Sequence, residues 1–250
     1  MGGPLLAREL ERGTHRLAWT QGVSRTRWAA TILGLSLVAA AAGGVILGLG
    51  GAQGWPLLGV ATFRPFDVFD FQGPALVSYM AFGLAVGALI GALRRRILTG
   101  MFFGLVAFAL VRGVVVAEVR PRYEPPVAVL TEPSLPLVGL PPLFPLPLHS
   151  AIPADAWVVG TAATDEQGRS VSDDRVRALF DEFGRAGCPS SLGRNCDSTR
   201  YLNEHGVYQY FLYQPADRFW RFQWYEAGLF GLLTLALVAA TLAILRRRDA

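Results

Sequence analysis

Polar and apolar residues segregate along this chain into long blocks. Four stretches, Ala29–Leu49, Ala75–Leu93, Leu98–Val116 and Ala227–Leu245, are almost free of formal charge. Each approaches or exceeds the roughly 20 apolar residues that cross a bilayer as a helix. The pattern predicts an all-α membrane protein, a four-helix transmembrane bundle with a small extracytoplasmic domain between spans three and four. Its segments are an entry segment 1–28, span one 29–49, a loop 50–74, span two 75–93, a turn 94–97, span three 98–116, the domain 117–226, span four 227–245 and a tail 246–250.

Within the long interval between spans three and four, three patterns stand out. Residues 121–153 carry ten prolines and predict an extended strap, because proline removes a backbone donor and breaks a helix. Ser172–Gly187 predicts an amphipathic helix: Ser172 is a good N-cap, Asp173 and Asp174 suit the positive end, and Val176, Leu179, Phe180 and Phe183 fall on one face. The aromatic stretch Tyr208–Glu226 reads as an interfacial belt leading into span four. Inside it, Tyr213, Gln214, Pro215, Asp217, Arg218 and Trp220 suggest a docked corner. Phe63, Phe66, Phe69 and Phe71 suggest a short interfacial segment in the first outer loop.

Composition fits this class, with 52% hydrophobic and 17% charged residues, against about 25% charged in soluble domains. All 23 basic residues are arginine. Without lysine there is no Walker-A phosphate loop, Schiff base or Ser–Lys dyad, so ATP hydrolysis by this chain is not expected. The spans also lack Ser/His, paired Asp or His-Glu-x-x-His arrangements, which argues against an intramembrane enzyme. Neither a catalytic residue, a cofactor nor a metal site is expected. The net charge of +4 comes from arginines beside the spans, with no basic stripe or motif for nucleic acid.

Those arginines set the sidedness. Arg8, Arg12, Arg16, Arg25 and Arg27 precede span one, Arg94–Arg96 fill the turn after span two, and Arg246–Arg248 follow span four. Basic residues collect in cytoplasmic loops, so both termini belong in the cytoplasm of a multi-pass cell-membrane protein, with span one an uncleaved signal anchor. Cys188 and Cys196 then lie outside, where a disulfide is expected. Small residues recur every four positions (Ala40, Gly44, Gly48; Gly83, Gly87, Gly91; Gly100, Gly104), the spacing of close helix packing in lipid. Arg112 is the charge inside a span, roughly 21 Å from its inner end at 1.5 Å per residue. Glu118 and Glu226 are its candidate partners in an intramembrane or gating pair, and a locally paired, snorkelling arginine is the alternative.

The entry segment carries the sharpest motif. Glu9, Glu11, Arg12, Gly13, Thr14, Leu17, Ser24 and Arg25 form an acidic–basic stretch ending in Gly-Thr, then a helix and a Ser-Arg turn before a span. This resembles the cytoplasmic segment of type-2 ATP-binding-cassette (ABC) transporter permeases. The corner at Tyr213–Trp220, followed by Phe222, Gln223 and Glu226, is similar to the outer segment of a bacterial subgroup of these permeases. The resemblance implies a permease subunit whose coupling helix docks on a separate ABC ATPase through Glu9, Glu11, Arg12, Gly13, Thr14 and Arg25, working as a homo- or heterodimer of permeases. Family members carry two further spans before this segment, so the resemblance also implies that the first two spans are lacking here. The other reading from a different class is a non-transport membrane protein whose outer domain binds an envelope component or senses a signal. Reporter fusions test the sidedness: fusions at 94–96 are expected to report the cytoplasm and fusions within 118–226 the exterior.

Overall fold

The computed structural model describes residues 25–57, 64–94, 97–132, 152–186 and 198–247. They form two compact units. The first contains four long helices: α1 (Arg25–Leu57), α2 (Gly73–Arg94), α3 (Ile97–Val114) and, after the second unit, α6 (Phe219–Arg247). All four segments are long and apolar enough to cross a membrane. With their flanking turns, the candidate spans run 23–32 residues, longer than the apolar runs alone. A 3₁₀ turn over Pro65–Phe71 precedes α2, and α3 continues as a π turn, Val115–Val119, and a 3₁₀ turn, Arg120–Arg122.

Helix α2 is the hub. It packs on α1, α3 and α6, and 56% of its apolar window is buried against 11–17% in the other three. Phe230 of α6, fully buried, meets Tyr79 and Phe82 of α2 edge-on at 5.0 and 5.1 Å between ring centroids. Leu33, Ala88 and Ala92 form a second cluster with Trp28, Val238 and Leu242. The glycine spacing has a definite use. Gly87 and Gly91 of α2 face Gly104 and Gly100 of α3, where an added Cβ would sit 3.2 and 3.3 Å from the opposing Cα atoms. At Gly44 of α1 a Cβ would come within 2.9 Å of the Val77 Cα. Backbones this close gain dispersion contacts that lipid cannot supply. Buried hydroxyls in α6 are satisfied within the helix: Thr234 donates to the Phe230 carbonyl and Thr241 to that of Leu237.

The second unit corrects the all-α expectation. It contains β1 (Val127–Thr131), β2 (Trp157–Thr164), α4 (Asp173–Ala186), α5 (Ser198–Glu204) and β3 (Tyr208–Gln214). The strands make an antiparallel sheet in the order β1-β3-β2, with Val127 opposite Tyr213 and Thr164 opposite Tyr208. The aromatic, β-branched stretches suit a half-buried pleated surface, and part of the expected proline strap is strand β1. Helix α4 matches the amphipathic pattern, with Ser172 Oγ accepting from the Arg175 N–H at 3.4 Å. Helix α5 ends in a Schellman motif: Gly206 at φ +74° donates to the Asn203 carbonyl and Val207 to that of Leu202, and the fully buried Val207, Leu202 and Val176 pack together. After β2, Asp165 accepts the Gln167 and Arg169 N–H groups. The Arg169 N–H, its strongest partner, holds the carboxyl below its ordinary pKa. Cys188 and Cys196, for which a bridge is expected, lie outside the described residues.

Adjacent glycines provide the packing test. Gly44→Leu is expected to lower stability in detergent by about 1–3 kcal/mol through overpacking. Gly43→Leu, where nothing lies within 4 Å, is expected to leave the thermal unfolding midpoint unchanged.

Candidate functional site: a buried charge network in the helical unit

One end of the helical unit, where α2 begins, α3 ends and α6 begins, contains a connected set of ionised side chains. Arg120 is 5% exposed and Glu226 fully buried. The guanidinium grips the carboxylate in a two-pronged fork, Nε to Oε2 and Nη2 to Oε1, both at 2.8 Å. Such paired, charge-assisted bonds are the strong form of an arginine–carboxylate contact. The Tyr79 hydroxyl donates to Glu226 Oε1 at 2.5 Å and accepts from Arg120 Nη2 at 3.2 Å. Arg120 Nη2 also reaches Asp70 Oδ1 at 2.6 Å, and the other oxygen of Asp70 takes Arg112 Nη2 at 2.6 Å. Arg120 lies over the Phe69 ring and Arg112 over the Tyr79 ring, each at 4.2 Å. Two cations and two anions thus cancel inside one cluster, which removes much of the penalty for charge at membrane depth.

The backbone explains how both arginines reach Asp70. Eight residues separate Arg112 from Arg120. In an unbroken α-helix they would point about 80° apart. The π turn, in which the Arg120 N–H bonds the Val115 carbonyl, takes up about one extra residue. The eight residues then close about two turns, and both side chains face the same way.

A second buried contact locks the same end. Gln223, fully buried on α6, donates from Nε2 to the Phe69 carbonyl at 2.7 Å and accepts the Ala75 N–H at Oε1 at 3.0 Å. It bridges the last backbone groups before the break and the first of α2. The break itself is Gly73 at φ +72°, where a Cβ would lie 2.7 Å from Gln223 Oε1. Only glycine fits this position.

The pairing expected for Arg112 is corrected. Its carboxylate partner is Asp70, whereas Glu226 is taken by Arg120 and Tyr79, and Glu118 by the exposed Arg122 at 2.7 Å. Glu118 lies six positions after Arg112 and therefore faces away, while Arg122 is its i+4 neighbour. The residues missed from sequence are Asp70, Tyr79 and Arg120. Tyr79, a polar-tipped ring near the start of an apolar run, was the available signal.

The corner residues fall in the second unit, except Trp220, which is 59% exposed on α6. Arg218 donates to the Pro125 carbonyl and to Gln214 Oε1, both at 2.7 Å, and pairs with Glu124 at 3.1 Å. Gln214 Nε2 donates to the Glu124 carbonyl, Pro215 accepts the Arg218 N–H, Asp217 lies in the 3₁₀ turn Ala216–Arg218, and Tyr213 packs beside Phe211. The coupling residues Glu9, Glu11, Arg12, Gly13 and Thr14 lie outside the described residues, and Arg25 opens α1.

Helices of this length and hydropathy, with a neutralised charge cluster between them, are consistent with a multi-pass membrane protein. Residues 1–120 match the family described as ABC-2 membrane transporter related, just under half of the chain. The match covers the entry segment and the first three spans, and over that stretch bears out the resemblance to type-2 ABC permeases; the corner at Tyr213–Trp220 lies beyond it. Comparisons with curated proteins and with solved structures gave no match.

Removing one partner of the central pair is expected to leave a bare buried charge. Arg120→Gln should cost about 3–5 kcal/mol, and replacing Arg120 by Met together with Glu226 by Leu should recover most of that loss. Arg112→Gln should cost only about 1–2 kcal/mol, because Asp70 keeps Arg120. Denaturant titration in detergent measures all three.

Proposed function

We propose that this chain is the membrane permease subunit of an ABC-type exporter, coupled to ATP hydrolysis on a separate ATPase subunit. The family match over residues 1–120, which spans the acidic–basic entry segment, carries this reading. In it the chain performs no hydrolysis itself. The entry segment faces the cytoplasm with both termini, and Glu9, Glu11, Arg12, Gly13, Thr14 and Arg25 meet the ATPase. Two permease chains, alike or different, complete the transporter.

The packing offers a route for the motion. The entry segment runs directly into α1, a continuous 33-residue helix. Through Gly44 and Val77, α1 bears on α2, the hub of the unit. A push on the entry segment would therefore tilt α1 as a rod and move the hub with it, the rigid-body class of transition.

A second reading has its own support. The strands and helices of the sheet unit lie beyond the matched residues, and the unit has two apolar clusters of its own, around Phe211 and around Val176. A receptor domain for an envelope component or signal would have that organisation.

Charge reversal tests the first reading. Glu9→Arg with Glu11→Arg is expected to reduce both co-purification of the ATPase subunit and transport-linked ATP hydrolysis by about tenfold, the loss of a few charge-assisted contacts. Unchanged co-purification and hydrolysis would favour the receptor reading.

A further inference from the structure

The two carboxylates of the network differ sharply in how firmly they are held. Glu226 is fully buried and receives three hydrogen bonds, two from Arg120 and one from Tyr79. Asp70 is 30% exposed at its side chain and sits in a 3₁₀ turn that ends two residues before the positive-φ Gly73. Each of its oxygens contacts a different arginine at 2.6 Å. One small anion thus bridges two guanidinium groups, as a phosphate does between paired arginines. The cradle also has a donor to spare: Arg112 Nη1 is enclosed and bonds no acceptor. Arg112 is 19% exposed at its side chain, on a helix whose Leu105, Leu110 and Val114 are 58–67% exposed and apolar.

We propose that Arg112 and Arg120 form a binding site for a phosphate-bearing ligand, which the chain's own Asp70 occupies until that ligand displaces it. A phosphate offers more oxygens than a carboxylate and can engage the spare Nη1, while Glu226 keeps Arg120 in place. The phosphate can come from a lipid headgroup beside α3 or from a free phosphate group. The proposal does not depend on ATPase coupling.

The test uses the full chain in phosphatidylcholine nanodiscs, as wild type, Asp70→Asn, and Asp70→Asn with Arg112→Gln. One probe is fluorescent phosphatidylglycerol in the disc, read by energy transfer from the chain's tryptophans. The other is inorganic phosphate, read by calorimetry. Asp70→Asn removes the competing anion and is expected to bind one or both probes about tenfold more tightly than wild type. Adding Arg112→Gln is expected to abolish the gain. A gain with phosphatidylglycerol alone assigns the site to a lipid headgroup, and a gain that includes inorganic phosphate assigns it to a free phosphate group. No gain with either probe, or a gain that survives Arg112→Gln, overturns the proposal. Should Asp70→Asn be unfolded in these discs, recovery of its far-ultraviolet circular dichroism on adding either probe supports the site, and failure of both to restore it overturns it.

Discussion

The grip of Arg120 on Glu226 constrains the helical unit more than any other contact described. A guanidinium and a carboxylate taken out of water each cost several kcal/mol, and only close geometry with every remaining bond satisfied offsets this. That demand reaches well beyond the pair. Tyr79 must stand on the facing side of α2 to complete the Glu226 shell, and Asp70 must be brought in to balance Arg120 and Arg112. The 3₁₀ turn, the left-handed Gly73 and the π turn of α3 are the backbone irregularities that meet these demands. Among the described residues, α1 supplies no member of the network. It packs on the unit through Gly44 against Val77 and through Leu33 and Trp28 beside Ala88 and Ala92.

Much of the architecture was legible in the residues. Long uncharged runs specify spanning helices, since few other structures satisfy a backbone in lipid. The Ser172 cap and the spacing of Val176, Leu179 and Phe180 fix α4 almost to the residue. Glycine spacing announced close packing, but the partners depend on rotation and register, which a single chain does not encode locally. Span ends proved least legible. Hydropathy fades at Val116, yet the helical path runs on to Arg122, because Arg120 is neutralised from a distance of 106 residues and so stays at the end of the span. The π turn has no simple sequence mark, and an argument from 3.6-residue periodicity therefore aims Arg120 wrongly. Strand β3 went unseen for another reason. Its rings resemble a membrane belt, and the alternate burial of Gln209 and Phe211, a period of two, emerges only in the fold, because polar Gln209 and Gln214 take buried positions.

The two units divide the chain's chemistry. The helical unit includes the portion that matches a known transporter family, and its fine structure concerns charge and close packing. The strands and helices of the sheet unit lie beyond that match. Its polar anchors, Arg218 with Glu124 and Gln214 with the Glu124 carbonyl, hold the strand termini together rather than present a reactive group. The similarity thus speaks to the first three helices of the helical unit, and α6 and the sheet lie beyond it.

The separation of Arg120 from Glu226 along the chain also bears on how the molecule is made. Ribosomes add about 5–20 residues per second, so the glutamate is synthesised roughly five to twenty seconds after the arginine it will hold. Until then Asp70 is the one carboxylate of this network already made to balance Arg112 and Arg120. The last helix is therefore the closing member of the assembly. A chain that ends before α6 lacks the carboxylate that Arg120 grips, and so carries one more uncompensated positive charge in this cluster than the finished protein.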